Sequence, residues 1–146
     1  VVFTASSEVA PDGFTVVKEY TCSEKSLTAK MTHIDIQGYS EVHFAIKTDG
    51  NMQIDTSVDP KTTIKQKYED WLYFTLINES TDTKVQWRVK VTYQGKEIVN
   101  FLNTRAIDQP GVCGVLWHGG ASGTAPINDV AGFKIYATEL RGVKKK

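Results

Sequence analysis

The chain has 146 residues, 40% of them hydrophobic and 23% charged, a length at which one domain can bury its own core without disulfides or metal. Seventeen Lys and Arg balance 17 Asp and Glu, so nothing global draws the chain to phosphate backbones or anionic membranes, and neither nucleic acid nor membrane is an expected partner. There is no run of about 18 apolar residues of the kind a membrane helix needs, and no charged-then-apolar leader.

Hydrophobic residues recur mainly with period two, the signature of strands rather than helices. After a turn at Pro11-Asp12-Gly13, residues 14–22 and 27–31 read as short strands. In 41–47, Val42, Phe44 and Ile46 share one face while Glu41, His43 and Lys47 share the other. Asp49-Gly50-Asn51 marks a turn before a short strand at 52–54. Residues 61–69 form either one helical turn, with Ile64 and Tyr68 at i, i+4, or a loop. Residues 71–77, rich in aromatic and branched side chains, predict a strand apolar on both faces.

A turn at 78–82 leads to the cleanest alternation in the chain, over 85–93, with apolar odd positions and polar even ones. Gln94-Gly95-Lys96 and Gln109-Pro110-Gly111 are turns around a strand at 97–102. A strand at 112–117 runs into a loop of small residues at 118–124, and 133–138 alternates again. Short strands punctuated in this way predict an all-β domain, a two-sheet antiparallel β-sandwich of the jelly-roll type, spanning 1–146 as a single module. A monomer is expected. The abrupt start at Val1-Val2-Phe3 and the Lys144-Lys145-Lys146 tail suit a module excised from a larger protein, the tail being a linker remnant.

Cys22 and Cys113 lack the C-x-x-C spacing of zinc or redox motifs; they either pair or stay as buried thiols, the second reading being favoured. Phosphate-binding glycine loops and the H-E-x-x-H metalloprotease motif are missing. His118-Gly119-Gly120 matches an esterase oxyanion loop but lacks the G-x-S-x-G elbow that would supply the nucleophile. His33 and Asp35, with His43, are read as solvated surface residues rather than metal ligands. Asp70, Asp129 and Glu139 are read as solvated charges rather than a glycosidase pair, with a structural calcium the minority alternative. No cofactor or catalytic residue is expected. Asn78-Glu79-Ser80 matches a glycosylation acceptor.

The aromatic residues are the informative feature. If Leu72, Phe74 and Leu76 face the core, Trp71 and Tyr73 face the other way, about 7 Å apart, as a platform for the apolar faces of pyranose rings. Gln86, Arg88, Lys90, His43, Lys47, Lys134 and Tyr136 then supply hydrogen bonds to sugar hydroxyls. The alternative turns Trp71 and Tyr73 inward. Trp87 shares its face with Val85, Val89 and Val91 and belongs to the core. Trp117, beside glycines, is a second platform or a cap on the end of the sandwich.

Gly38-Tyr39-Ser40 before the Phe44 strand, Asp70-Trp71-Leu72-Tyr73-Phe74, and the run from Phe133 to Gly142 together resemble the non-catalytic carbohydrate-binding modules of bacterial polysaccharide-degrading enzymes. The resemblance implies a secreted or cell-surface jelly roll attached to a catalytic domain that it holds on plant cell-wall polysaccharide of β-1,4-glucan, xyloglucan or mannan type. It implies ligand contacts from Trp71, Tyr73, Arg88, Lys90, Lys134 and Tyr136 on a sheet, and from Trp117 with His118 at a loop site. Arg88, Lys90, Lys47 and Lys134 depart from a neutral-glucan site and leave room for pectin. A protein-interaction or adhesin module is the rival reading.

Overall fold

The computed structural model describes residues 4–21, 27–33, 38–48, 52–55, 62–64, 68–106, 114–119 and 134–146. Among them there is no helix; the chain forms two antiparallel sheets. The larger contains β1 (Thr4–Ala5), β2 (Val17–Thr21), β4 (Tyr39–Thr48), β7 (Tyr68–Asn78), β8 (Lys84–Tyr93), β9 (Lys96–Ala106), β11 (Lys134–Thr138) and β12 (Arg141–Lys144). The smaller contains β3 (Leu27–His33), β5 (Met52–Asp55), β6 (Thr62–Ile64) and β10 (Gly114–Gly119). The larger sheet runs β1-β2-β11-β4-β7-β8-β9, with β12 also on β4, and the smaller runs β3-β10-β5-β6. The chain therefore leaves the larger sheet between β2 and β4, between β4 and β7, and between β9 and β11.

The alternation of apolar side chains sets the register. Val42, Phe44 and Ile46 of β4 stand opposite Leu76, Phe74 and Leu72 of β7, and Phe74 and Leu76 stand opposite Val91 and Val89 of β8. A slip of one residue would turn every one of these side chains to the other face. The Phe44 and Phe74 rings stack with centroids 4.8 Å apart and planes 6° from parallel. Ile135 and Ala137 of β11 extend this core on one side and Trp87 on the other. Trp87 is 0% exposed, as its alternation predicts, and its indole N–H has no hydrogen-bond partner among the described residues. That group costs about 1–3 kcal/mol of desolvation, which the ring's packing must offset.

Turn chemistry follows residue type. Gln94 and Gly95, at φ 49° and 80°, form a two-residue hairpin between β8 and β9, where left-handed residues match the twist of the strands. Gly13, at φ 91°, takes the third position of a turn closed by Phe14 N–H donating to Pro11 O at 3.1 Å.

Strands β11 and β12 lie end to end along one edge of β4. Ala137 pairs with Ile46 and Arg141 with His43, so Thr138, Glu139 and Leu140 face only Phe44 and Ala45, and the extra residue makes a bulge. The buried Thr138 hydroxyl closes the gap: it accepts the Ala45 N–H at 2.8 Å and donates to Glu139 O at 3.0 Å.

Four expectations change here. Within 61–69, Thr62–Ile64 is strand β6 and β7 has begun by Tyr68, so the described part is extended, not helical. His118 and Gly119 belong to β10, which is paired on both sides, rather than to a loop. Lys144 lies in β12, and Lys145 N–H donates to Gly38 O, so part of the basic tail completes the sheet. Phe14 precedes β2 and packs across the sheet instead of extending it. Cys22, Cys113, Asp35, Asp129 and residues 120–124 lie outside the described residues.

Two substitutions test this packing through urea midpoints. Phe74→Ala is expected to cost about 3–5 kcal/mol, the range for an aromatic removed from a close-packed core. Gly142→Ala is expected to cost about 1–3 kcal/mol, because the added Cβ would lie 2.5 Å from Cδ1 of the Tyr39 ring that packs over it. An unchanged midpoint for either variant would contradict the register.

Candidate functional site on the outer face of the large sheet

With Leu72, Phe74 and Leu76 buried, alternation directs Trp71, Tyr73 and Thr75 to the opposite, outer face, as expected. Strand register then assembles a polar row. Arg141 pairs with His43, His43 with Thr75, Thr75 with Lys90 and Lys90 with Asn100, so one line of side chains crosses β12, β4, β7, β8 and β9. At an interstrand spacing of about 4.8 Å, the row is roughly 19 Å long.

Hydrogen bonds fix the row. His43 Nε2 lies 2.9 Å from Glu41 Oε2 and its Nδ1 lies 3.3 Å from Thr75 Oγ1. The carboxylate can only accept, so Nε2 carries a proton directed at Glu41. Arg88 donates to both carboxylate oxygens of Glu79 and, at 2.8 Å, to Asn100 Oδ1. The order Glu41, His43, Thr75 is that of an acyl-transfer triad. Yet Thr75 sits in a strand paired on both sides, where its backbone groups serve the sheet rather than an oxyanion. No cluster of three or more His, Cys, Asp or Glu that could hold a metal occurs among the described residues.

Beside the polar row lies an aromatic floor, and it is covered. Trp71 is only 8% exposed, so it is not the accessible platform that alternation alone suggests. With Val17 and Ala45 it forms a second small core, against which Tyr73, Tyr136, Ala10 and Phe14 pack. Ala10 and Phe14 come from residues 6–16, an irregular strap laid over the outer face, in which Pro11 is also buried. Side-chain alternation states which face a residue takes; it does not state what another part of the chain lays over that face.

Glu139 holds the strap. Its carboxylate accepts Thr15 N–H at 3.0 and 3.1 Å, Val16 N–H at 3.1 Å and the Thr15 hydroxyl at 2.8 Å, and pairs with Arg141 at 2.9 Å. Arg141 in turn lies 5.9 Å from the centre of the Phe14 ring. Burial alone would raise the pKa of Glu139, but the Val16 and Thr15 amides, the Thr15 hydroxyl and Arg141 outweigh it and lower it from 4.5 to about 2. Glu139 is thus a strap anchor rather than the solvated charge read from sequence. A second tie joins Glu8 to Lys47, whose ammonium also lies 5.9 Å from the centre of the Tyr136 ring.

The remaining expected site residues divide. Tyr73 is half-buried, its phenol pKa raised by burial and then by Asp12 and Asp70. Arg88, Lys90 and Tyr136 are half-buried on the outer face and Lys134 is exposed. Trp117 and His118 are elsewhere, in the smaller sheet, their backbones paired with Ala29 and Ile54 and with Thr28 and Gln53; their side chains are outside the description. The Asn78 carboxamide donates to Tyr39 O and accepts from Ser80 N–H, so the acceptor motif serves the turn. Comparison with protein-family models, curated proteins and solved structures finds no match.

Because the folded-state pKa of Glu139 is depressed, its contribution is full above the ordinary value of 4.5 and is lost as pH falls through about 2. Urea midpoints of the wild type and Glu139→Gln are therefore expected to differ most above pH 4.5 and to converge near pH 2. A constant difference across that window would remove the anchoring role.

Proposed function

We propose that this domain is a non-catalytic binding module for plant cell-wall polysaccharide, and that the chain lies along the outer face of the large sheet. The reading is carried by the juxtaposition of a polar row, Arg141-His43-Thr75-Lys90-Asn100, with the margin of an aromatic floor at Tyr73 and Tyr136. Sugar hydroxyls need donors and acceptors in a fixed array, and ring C–H faces need an aromatic edge beside it. A row crossing five strands suits an extended polymer better than a single ring.

The pairing of two of the four expected cations supports a neutral polymer over pectin. Of the cations expected on this face, Lys47 is held by Glu8 and Arg88 by Glu79. Neither is free to meet a uronate without losing its carboxylate. We take the domain to be a two-sheet sandwich, because Phe44, Ile46, Trp87, Val89 and Val91 are all 0% exposed on one face and a second layer must cover them. The chain's repeated excursions to the smaller sheet support the reading of that sheet as the covering layer. A secreted module attached to a catalytic domain is the setting in which such a surface would act.

Affinity electrophoresis through gels containing β-glucan, xyloglucan, glucomannan, xylan or pectin tests the reading. Retardation is expected in a neutral polymer. Tyr73→Ala is expected to weaken it about threefold to tenfold, the value of one aromatic contact. Migration unaffected by every polymer would instead favour a protein-interaction module.

A further inference from the structure

The aromatic floor and the strap together carry more than a static core. We propose that residues 6–16 are a built-in occupant of the glycan site, a strap that must lift from Trp71 before a polysaccharide can seat fully on the outer face. This rests on the reading of that face as a polysaccharide surface.

The side chains under the strap are those a pyranose ring would use. Trp71, Tyr73 and Tyr136 lie together with Ala45 and Val17 on the face opposite the main core, and the strap fills the space above them with Ala10 and Phe14. Tyr73 and Tyr136 stay half-exposed at the margin of the covered floor. The polar row begins at Arg141, which faces both the anchor Glu139 and the strap's Phe14. A ligand drawing Arg141 onto its hydroxyls would therefore loosen the anchor directly.

The strap is also weakly tied for a covering element. It runs without regular secondary structure from Ser6 to Val16. Its described backbone-to-backbone bonds are Ser6 N–H to Val17 O at 3.0 Å and the internal Phe14-to-Pro11 turn bond. Its other described ties are made by side chains: the carboxylate of Glu139, the Glu8-Lys47 pair, the Ser6 hydroxyl to Glu19 at 3.4 Å, the Arg141 contact with Phe14, and the packing of Ala10 and Phe14. Segments held by few backbone bonds and little apolar area are the ones that open at low free energy. Lifting this one exposes an aromatic floor while leaving the strand pairings of β4, β7 and β8 intact.

Linkage fixes the quantitative consequence. If only the lifted state binds, apparent affinity scales with its population, so any change that opens the strap tightens binding by the same factor. The test uses the full chain and Phe14→Ala, which removes an apolar tie but keeps Glu139 as acceptor. Hydrogen exchange of the Thr15 and Val16 amides then reports opening without any ligand. Affinity electrophoresis in the polymer gels reports binding. Glu139→Ala is a second variant, read by affinity alone, because it removes the acceptor of the reporter amides.

Phe14→Ala is expected to speed exchange of both amides by about tenfold and to tighten polymer binding by a matching factor. Glu139→Ala is expected to tighten binding too, and Trp71→Leu combined with Phe14→Ala to lose the gain. Retardation of the variants but not of the wild type supports the same conclusion, with a strap that is almost always shut. If the wild type binds and both loosened variants bind equally or less well, the strap is only part of the fold and the proposal falls while the glycan reading stands. If no protein is retarded by any polymer, the glycan reading falls and takes the proposal with it.

Discussion

Pairing of Phe44 with Phe74, and of their neighbours two residues away, is the constraint on which the rest of the structure depends. A strand alternates its side chains, so burying Val42, Phe44 and Ile46 against Leu76, Phe74 and Leu72 determines what the intervening residues do. Glu41, His43, Ala45 and Lys47 are sent outward from β4, and Trp71, Tyr73 and Thr75 from β7. The same rule, carried through β8 by Val85, Trp87, Val89 and Val91, sends out Gln86, Arg88 and Lys90. The polar row is thus a by-product of core packing: the residues that form it are far apart in sequence and meet only because their neighbours must be buried.

The outer face solves two problems with one set of groups. Trp71 would be an exposed aromatic on a sheet surface, a liability for association. The strap covers it, and Glu139 supplies the charge-assisted bonds that compensate the strap's unpaired amides. Glu139 is presented by the bulge between β11 and β12, where the extra residue interrupts the edge pairing of β4. The bulge, the anchor and the strap therefore form one device, and the half-buried margin at Tyr73 and Tyr136 is where it meets solvent.

Much of the fold was legible in the sequence because its strongest signals are local. The period-two runs around Phe44, Phe74, Val89 and Ile135 all became strands, and the core position of Trp87 followed from its neighbours. Strand β12 was not legible: Arg141-Gly142-Val143-Lys144 has no alternation of its own and pairs because β4 extends past the end of β11. The outward direction of Trp71 and Tyr73 could be read from alternation, but the cover over Trp71 could not, since it depends on Phe14 returning across the sheet from more than fifty residues earlier. Glu139 offered no signal beyond being one carboxylate among many; its role arises from amides of Thr15 and Val16, over 120 residues away in the chain. Trp117 and His118, read as a loop site, lie in a strand of the other sheet.

The central claim is that one face of the large sheet is the binding surface. Chemical-shift mapping of the isotopically labelled domain, titrated with a soluble fragment of a neutral wall polysaccharide, tests it most directly. The account predicts that the largest shifts trace the row of His43, Thr75, Lys90 and Asn100 together with Tyr73. Shifts centred on Trp117 and His118 in β10, with that row unmoved, would contradict it.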